Sequence, residues 1–190
     1  RQSVAITLGG TQGRIDPVRS ITNQSTGRTG YNIAAAAFLN GHKVTTFEGR
    51  THNLPVHSLW ERAHVESAEE MSEAVLAIAT SAKPPTLWVW SAAIQDYAPV
   101  SESMVKISSD QEQLSVQLIR VPKLIAVVQS HISEGARQIG FKLTAGSSVK
   151  QMLTAADSLR QSYQLSAVVA NRVEDLQNGV RVHWVDASGS

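Results

Sequence analysis

Four stretches of the chain carry residue types whose spacing suits chemistry on an anion. Gly9-Gly10-Thr11-Gln12-Gly13 follows the short apolar run Val4–Leu8. Small residues let backbone N–H groups approach phosphate oxygens, and the carboxyl ends of parallel strands are where α/β folds bind ligands. Glycines also serve tight turns, so the segment alone admits both readings. Ser25-Thr26-Gly27 stands just before an Ala-rich helical stretch. Its hydroxyls and amides suit an anion site favoured by the helix dipole; equally, Ser25 or Thr26 simply caps the helix. The other two stretches, Ser91–Tyr97 and Lys106–Asp110, read as loops after later strands. Asp96 suits a metal, a base or a ribose, and Lys106 suits a phosphate. A turn carboxylate and a solvated lysine are the plainer alternatives.

The elements that must position these residues read as alternating strands and helices. Val4–Leu8, Val44–Phe47, Leu87–Trp90, Ile139–Leu143 and Leu165–Ala170 are apolar runs of strand length, and a further strand is expected at Val180–Val185. Helices are expected over Tyr31–Leu39, from Ser67 to about Ser81, from Pro122 to about Ile132, and over Val149–Tyr163. Ser67 with Glu70 matches a capping box. Thr11 to Gly27 and Glu48 to Arg62 read as polar connections. Shorter strands are expected near Val65, at Val105–Ile107 and at Ser115–Ile119. Strand–helix alternation gives a Rossmann-like three-layer α/β domain over residues 1–190, with a mainly parallel sheet and a small antiparallel extension.

Composition narrows the function classes. With 42% apolar and 17% charged residues the chain is expected to fold rather than remain disordered. Lys+Arg 17 against Asp+Glu 16 leaves a net charge of +1, so no global field draws nucleic acid or membrane, and anion binding must be local. The absence of Cys excludes disulfides, thiolate metal sites and a cysteine nucleophile, and is compatible with a cytoplasmic location. No apolar run approaches the ~20 residues of a membrane helix. His52, His57 and His64 lack metal-ligand spacing, and Trp88 and Trp90 read as packing.

Taken in order, these blocks become specific. Gly9-Gly10-Thr11, then Ile15-Asp16-Pro17-Val18-Arg19-Ser20-Ile21-Thr22-Asn23-Gln24-Ser25-Thr26-Gly27, resembles the signature of the phosphopantothenoylcysteine synthetases. Ala92-Ala93 to Asp96-Tyr97, Lys106-Ile107, Pro122-Lys123, Gly140-Phe141 and Ala170-Asn171 follow in the family's order across nearly the whole chain. Lys106-Ile107-Ser108-Ser109 and Gly140-Phe141-Lys142-Leu143 look like the stand-alone bacterial form, without a flavin-binding decarboxylase half. Arg172 stands where the family usually has Asp, and a Gly-Phe-rich turn and a clear C-terminal helix are missing. These departures fall at the end of the substrate pocket.

The resemblance implies a ligase of coenzyme A synthesis that joins 4′-phosphopantothenate to L-cysteine. The carboxylate attacks the α-phosphorus of CTP, pyrophosphate leaves, and the cysteine amine displaces CMP from the acyl-cytidylate. By the same resemblance Asn23 and Lys106 are catalytic. Gly9, Gly10, Thr11, Ser25, Thr26, Gly27, Ala92, Ala93, Asp96 and Phe141 bind the nucleotide, although Phe141 reads equally as core. Arg19, Asn23 and Asn171 bind the substrate, with Arg19 acting across a subunit boundary of a homodimer. Mg²⁺ is the expected ion, with Asp96 as its one candidate protein ligand. Two alternatives remain: an NAD(P)-dependent Rossmann oxidoreductase, with Glu48 on the ribose, and a non-catalytic nucleotide-binding module. The glycine spacing is not G-x-G-x-x-G and Glu48 lies beyond the usual ~20 residues, which weighs against the first. Preference for CTP over ATP follows from the stand-alone look alone.

Overall fold

A computed structural model describes residues 1–177 and 182–189. The chain runs β1 (Ser3–Leu8), β2 (Gln12–Arg14), β3 (Ser20–Thr22), α1 (Arg28–Leu39), β4 (Lys43–Glu48), β5 (Glu61–His64) and α2 (Ala68–Ala79). It continues through β6 (Leu87–Trp90), β7 (Tyr97–Pro99), β8 (Leu118–Arg120), α3 (Leu124–Val128), β9 (Arg137–Thr144), α4 (Val149–Ser162), β10 (Ala167–Arg172), α5 (Val173–Gln177) and β11 (His183–Asp186). Seven strands form one sheet in the order β11-β10-β9-β6-β1-β4-β5, parallel except for β11. From β1 the chain moves outward to β4 and β5, then returns to β6 and moves outward the other way. The order therefore reverses between β1 and β6, and a crevice opens there at the strands' carboxyl ends.

Both faces of the sheet need cover because side chains on successive strand residues point to opposite sides. Ala5, Trp88 and Val168 face α2, α3 and α4, where Met71, Val75, Leu124, Val128, Met152 and Ala156 complete a buried cluster. Trp88 and Trp90 stack on this face with ring centroids 5.2 Å apart, and the Trp90 indole donates to Gln138 Oε1 at 3.1 Å. Val4, Ile6, Leu8, Val44 and Val89 face the other way, against Ala34 of α1. The link from β4 to β5 brings no helix to that face. Trp60 fills the space instead, buried against Phe38 and Tyr31 at centroid distances of 5.8 and 5.6 Å.

Local signals explain most element ends. Ser67 caps α2 by accepting the Glu70 N–H at 3.0 Å, while the Glu70 carboxylate reaches back to the Glu66 N–H at 2.7 Å, one residue before the cap. Ser148 and Gln151 form a reciprocal capping box on α4.

Several expectations shift. The polar stretch after β1 contains a hairpin, β2 with β3, whose three-residue strands are too short to show a period of two. The strand expected near Val65 is β5, and that expected at Leu165–Ala170 is β10. The strand expected at Ser115–Ile119 is the shorter β8, which pairs antiparallel with β7. Pro122 precedes α3, whose N-cap is Lys123, and a 3₁₀ turn over Gln129–His131 ends that helix early. Val105–Ile107 is not a strand: Ile107 donates its N–H to Asp16 and accepts from Arg19 at its C=O, so the groups a ladder would use are engaged. Of the last expected strand, Val180 and Arg181 lie outside the described residues.

Candidate active site

The carboxyl ends of β6, β9 and β10 and the start of α1 surround a cleft of about 400 Å³. Its walls include Ser25, Thr26, Gly27, Thr29, Gly30, Ala92, Ala93, Asp96, Lys123, Phe141 and Asn171. The topological crevice thus gathers eight of the expected residues, from segments as distant in sequence as Ser25 and Asn171.

The first turn of α1 forms one wall. Gly27, not Ser25 or Thr26, is the N-cap, in the left-handed region at φ 73° and without a side-chain cap bond. The helical ladder starts with the Tyr31 N–H on Gly27 O at 3.0 Å. The amides of Thr29 and Gly30 precede it, so the ladder gives them no acceptor. Both residues line the cleft together with Ser25 and Thr26, whose hydroxyls accept the N–H groups of Gly27 at 3.4 Å and Arg28 at 3.3 Å. This helix start can sit so low on the sheet because Gly30 lacks a side chain: a Cβ there would lie 2.5 Å from Leu8 Cβ and from Ser91 Oγ. First-turn donors outside the helical ladder and the positive helix end together favour phosphate.

The loop after β6 forms the facing wall. Ala92 and Ala93 are tied back to β1, their amides donating to Thr7 Oγ1 at 3.3 Å and Gly9 O at 2.8 Å. Asp96 is half exposed and pairs with the Lys123 ammonium, which puts one carboxylate and one cation at the same rim. Phe141 lines the cleft and also packs against the α1-side core, so both readings of it hold. Asn23 stands beside this wall, and its side-chain amide donates to Ile94 O at 3.1 Å and Ala93 O at 3.4 Å.

Other expected residues lie elsewhere. Gly9, Gly10 and Thr11 are buried beneath the cleft rather than lining it. The Gly10 N–H donates to Arg50 O at 2.9 Å, and the Thr11 hydroxyl accepts the Gln95 N–H at 3.1 Å, so neither group is turned to a ligand. Lys106 is exposed on the irregular segment between β7 and β8, outside the cleft walls. Arg19 sits on the β2–β3 turn and donates through Nη1 to Asp16 Oδ2 at 2.8 Å and to Ile107 O at 3.0 Å. Glu48 is not open to a ribose: it is buried and doubly bonded to Arg62. Among the described residues no group of three or more His, Asp or Glu is placed to hold a metal. No helix among them is long and apolar enough to cross a membrane.

Two features escaped sequence reasoning. Asp16 is a fully buried carboxylate that accepts from the amides of Val18, Arg19 and Ile107 and from the Arg19 guanidinium. Burial raises its pKa, but those amides and that cation outweigh burial and hold it below the ordinary aspartate range. Asp-Pro is a turn signal, and it was the visible half of this arrangement. Arg172, the departure after Asn171, forks onto Asp175 at 2.8 and 2.7 Å and donates to Ser147 O at 3.1 Å. Glu174 accepts the Gly146 N–H at 2.6 Å. Together they fasten the β9–α4 loop to the end of β10 and to α5.

The family model described as the DNA/pantothenate metabolism flavoprotein C-terminal domain matches residues 1–185. The coenzyme A biosynthesis bifunctional protein CoaBC of Vibrio parahaemolyticus is 31% identical over 194 residues, covering 97% of this chain and 47% of that protein. Its counterpart in Thermococcus kodakarensis is 33% identical over 171 residues, covering 90% of this chain and 41% of that protein. The chain thus spans less than half the length of these relatives. The crystal structure of a CoaBC C-terminal domain superposes with a TM-score of 0.77 at 25% identity, covering 100% of this chain and 83% of that one. A DNA/pantothenate metabolism flavoprotein from Streptococcus pneumoniae superposes with a TM-score of 0.82 at 22% identity, covering 98% and 93%, which bears on the fold alone. With the sheet order, the crevice and the matched blocks in agreement, the chain belongs to the phosphopantothenoylcysteine synthetase family, the family of DNA/pantothenate metabolism flavoprotein C-terminal domains.

Proposed function

We propose that this chain is a phosphopantothenate–cysteine ligase that uses CTP and forms an acyl-cytidylate. The observation that carries the reading is the cleft itself, where the open first turn of α1 faces the Ala92–Asp96 wall. The likeness to CoaBC proteins, and to a Cab2 mutant solved in complex with phosphopantothenate-cysteine, supports the substrate class.

In this reading the Thr29 and Gly30 amides and the Ser25 and Thr26 hydroxyls hold the nucleotide phosphates. That role passes to them from Gly10 and Thr11, whose polar groups are engaged below. Asp96 and the Ala92–Ala93 backbone receive the nucleoside, beside Phe141. The carboxylate of 4′-phosphopantothenate attacks the α-phosphorus, pyrophosphate departs, and the cysteine amine then displaces CMP. Neither step needs a protein nucleophile. Each brings anions together, so cations and aimed donors supply the catalysis. Asn23 stabilises the tetrahedral oxyanion of the second step, and Asn171 contacts the substrate from the far wall.

Mg²⁺ suits this cleft as an ion carried on nucleotide phosphates rather than held in a protein cage, with Asp96 the carboxylate in reach; its chemistry there is charge neutralisation. Lys106 and Arg19 serve the reacting anions from a face that a second copy covers. Lys106 follows Met104 and Val105, 87% and 71% exposed, and Arg19 follows Val18, 68% exposed. Apolar exposure on that scale at one end of the molecule favours a homodimer. The competing oxidoreductase reading loses its ribose ligand in Glu48.

The test is pyrophosphate release with 4′-phosphopantothenate and either CTP or ATP, with and without cysteine. One equivalent should be released with CTP and 4′-phosphopantothenate before cysteine is present, and continuous turnover should follow its addition. No release with either nucleotide would sink the reading.

A further inference from the structure

One carboxylate grips two segments that lie far apart in sequence. Asp16 Oδ1 accepts the N–H groups of Val18 at 2.8 Å and Arg19 at 2.7 Å. Those two bonds close the β2–β3 turn together with its backbone bonds, among them the Ile15 N–H on Arg19 O at 2.9 Å. Oδ2 reaches beyond the turn: besides Arg19 Nη1 at 2.8 Å, it accepts the N–H of Ile107 at 3.1 Å. Arg19 Nη1 donates in addition to Ile107 O at 3.0 Å. Both backbone groups of Ile107 are therefore held, one by each member of the Asp16–Arg19 pair. The Ser103 N–H, on Ile15 O at 2.9 Å, fastens the same segment to the same turn.

Residues 100–117 have no strand or helix of their own. These residues are mostly exposed, whereas the Asp16 side chain is fully buried. A buried carboxylate is tolerated where its acceptor sites are filled, and four donors on two oxygens do so here. Lys106 is one peptide away, so the clamp fixes the point from which its four-carbon stem extends. The clamped turn leads through β3 to Asn23, and the four residue steps from Arg19 to Asn23 span at most about 14 Å.

We propose that Asp16 is a positioning residue for Lys106: its second oxygen, with Arg19, locks Ile107 and so sets where the Lys106 charge is delivered. The inference rests on the reading of Lys106 given above. Asp16 touches no reacting atom. Its effect is the geometric one, in which a misplacement of about 1 Å in a supporting group slows a reaction about a hundredfold.

Asp16→Asn separates the two roles, since an amide oxygen still serves the turn while its NH₂ faces the donors of Arg19 and Ile107. Ile107→Pro removes the gripped N–H and leaves the carboxylate intact, a second route if Asp16→Asn misfolds. Each variant should slow cysteine-independent pyrophosphate release about tenfold to a hundredfold. Each should also speed amide hydrogen exchange across 101–110 while keeping a cooperative thermal transition. The double variant Asp16→Asn/Lys106→Gln should be no slower than Lys106→Gln alone. Losses that multiply in the double variant, or unchanged exchange across 101–110, overturn the proposal. If Lys106→Gln alone releases pyrophosphate at the wild-type rate, the role of Lys106 fails first, and the positioning role falls with its premise.

Discussion

Arg62 closes a two-point fork on Glu48, with Nε on Oε1 at 2.8 Å and Nη2 on Oε2 at 2.7 Å. Thr46 Oγ1 donates to Oε1 at 2.6 Å, and the same hydroxyl accepts the Trp60 indole N–H at 3.2 Å. The carboxylate at the end of β4 thereby anchors the segment that replaces a helix on the α1 face. Removing one partner of such a buried pair costs about 3–5 kcal/mol, so Glu48→Gln should lower the urea midpoint by that equivalent. Burial raises the Glu48 pKa, but the Arg62 and Thr46 hydrogen bonds and the Arg62 charge outweigh it and hold it below the ordinary range. A depressed pKa contributes stability above the unfolded value of about 4.3 and loses it as pH falls through the folded value. The advantage of wild type over Glu48→Gln should shrink below about pH 4; a constant gap down to pH 2 would refute the pairing.

At the cleft rim the opposite balance holds. Asp96 and Lys123 have side chains 57% and 53% exposed, and exposed pairs contribute about 0–1 kcal/mol to folding. Asp96→Asn should therefore leave the thermal midpoint nearly unchanged. If Asp96 bonds the nucleoside, loss of a charged hydrogen bond should raise the KM for CTP about tenfold or more. A KM equal to wild type would remove Asp96 from the nucleotide pocket.

Gly30 offers a test of the α1 wall. The Cβ of Gly30→Ala would meet Leu8 and Ser91, and such overpacking costs about 1–3 kcal/mol. Relief requires α1 to lift from the sheet, carrying its first-turn amides with it, so if those amides hold the nucleotide phosphates the KM for CTP should rise as stability falls. Gly41→Ala at the other end of α1 is the control. Nothing lies within 4 Å of its Cβ, but φ is +77°, so stability should fall through backbone strain alone. Equal KM effects in the two variants would detach the helix start from nucleotide binding.

Legibility in the sequence followed the range of the interactions. Leu87–Trp90 was readable to the residue, because a central parallel strand is a continuous apolar run between breakers. The α2 cap was readable because Ser67 and Glu70 are three residues apart. Ser25–Gly27, Ala92–Asp96, Phe141 and Asn171 could be ordered by resemblance, and the parallel topology brings them to one crevice. Asp16 stood only as part of a polar connection because its decisive partner, Ile107, lies 91 residues on. For the same reason nothing local told that Lys106 would be held at the β2–β3 turn and not at the cleft. Glu48 looked free at a strand end because Arg62 is 14 residues away, on β5. Arg172 looked like a disturbance of the pocket, whereas its fork onto Asp175 turns its charge to the β9–α4 loop.

Asn23 ties the segment after β3 to the segment after β6 through bonds of 3.1 Å to Ile94 O and 3.4 Å to Ala93 O. The longer bond is the weaker, so in the proposed mechanism it is the one exchanged for a developing oxyanion while the 3.1 Å bond keeps the side chain in place. An amide donor stabilises that charge without protonating it, and deleting such a donor typically raises the barrier by about 2.7–4 kcal/mol. Asn23→Ala should therefore retain a pyrophosphate burst with CTP and 4′-phosphopantothenate, accumulate acyl-cytidylate, and release CMP to cysteine about 10²–10³-fold more slowly. Asn23→Asp should be slower still, because a carboxylate oxygen would face the Ala93 and Ile94 carbonyls and repel the oxyanion. Rapid quench with radiolabelled CTP resolves the two steps. CMP formation at the wild-type rate in Asn23→Ala would leave the amide with its tethering role alone.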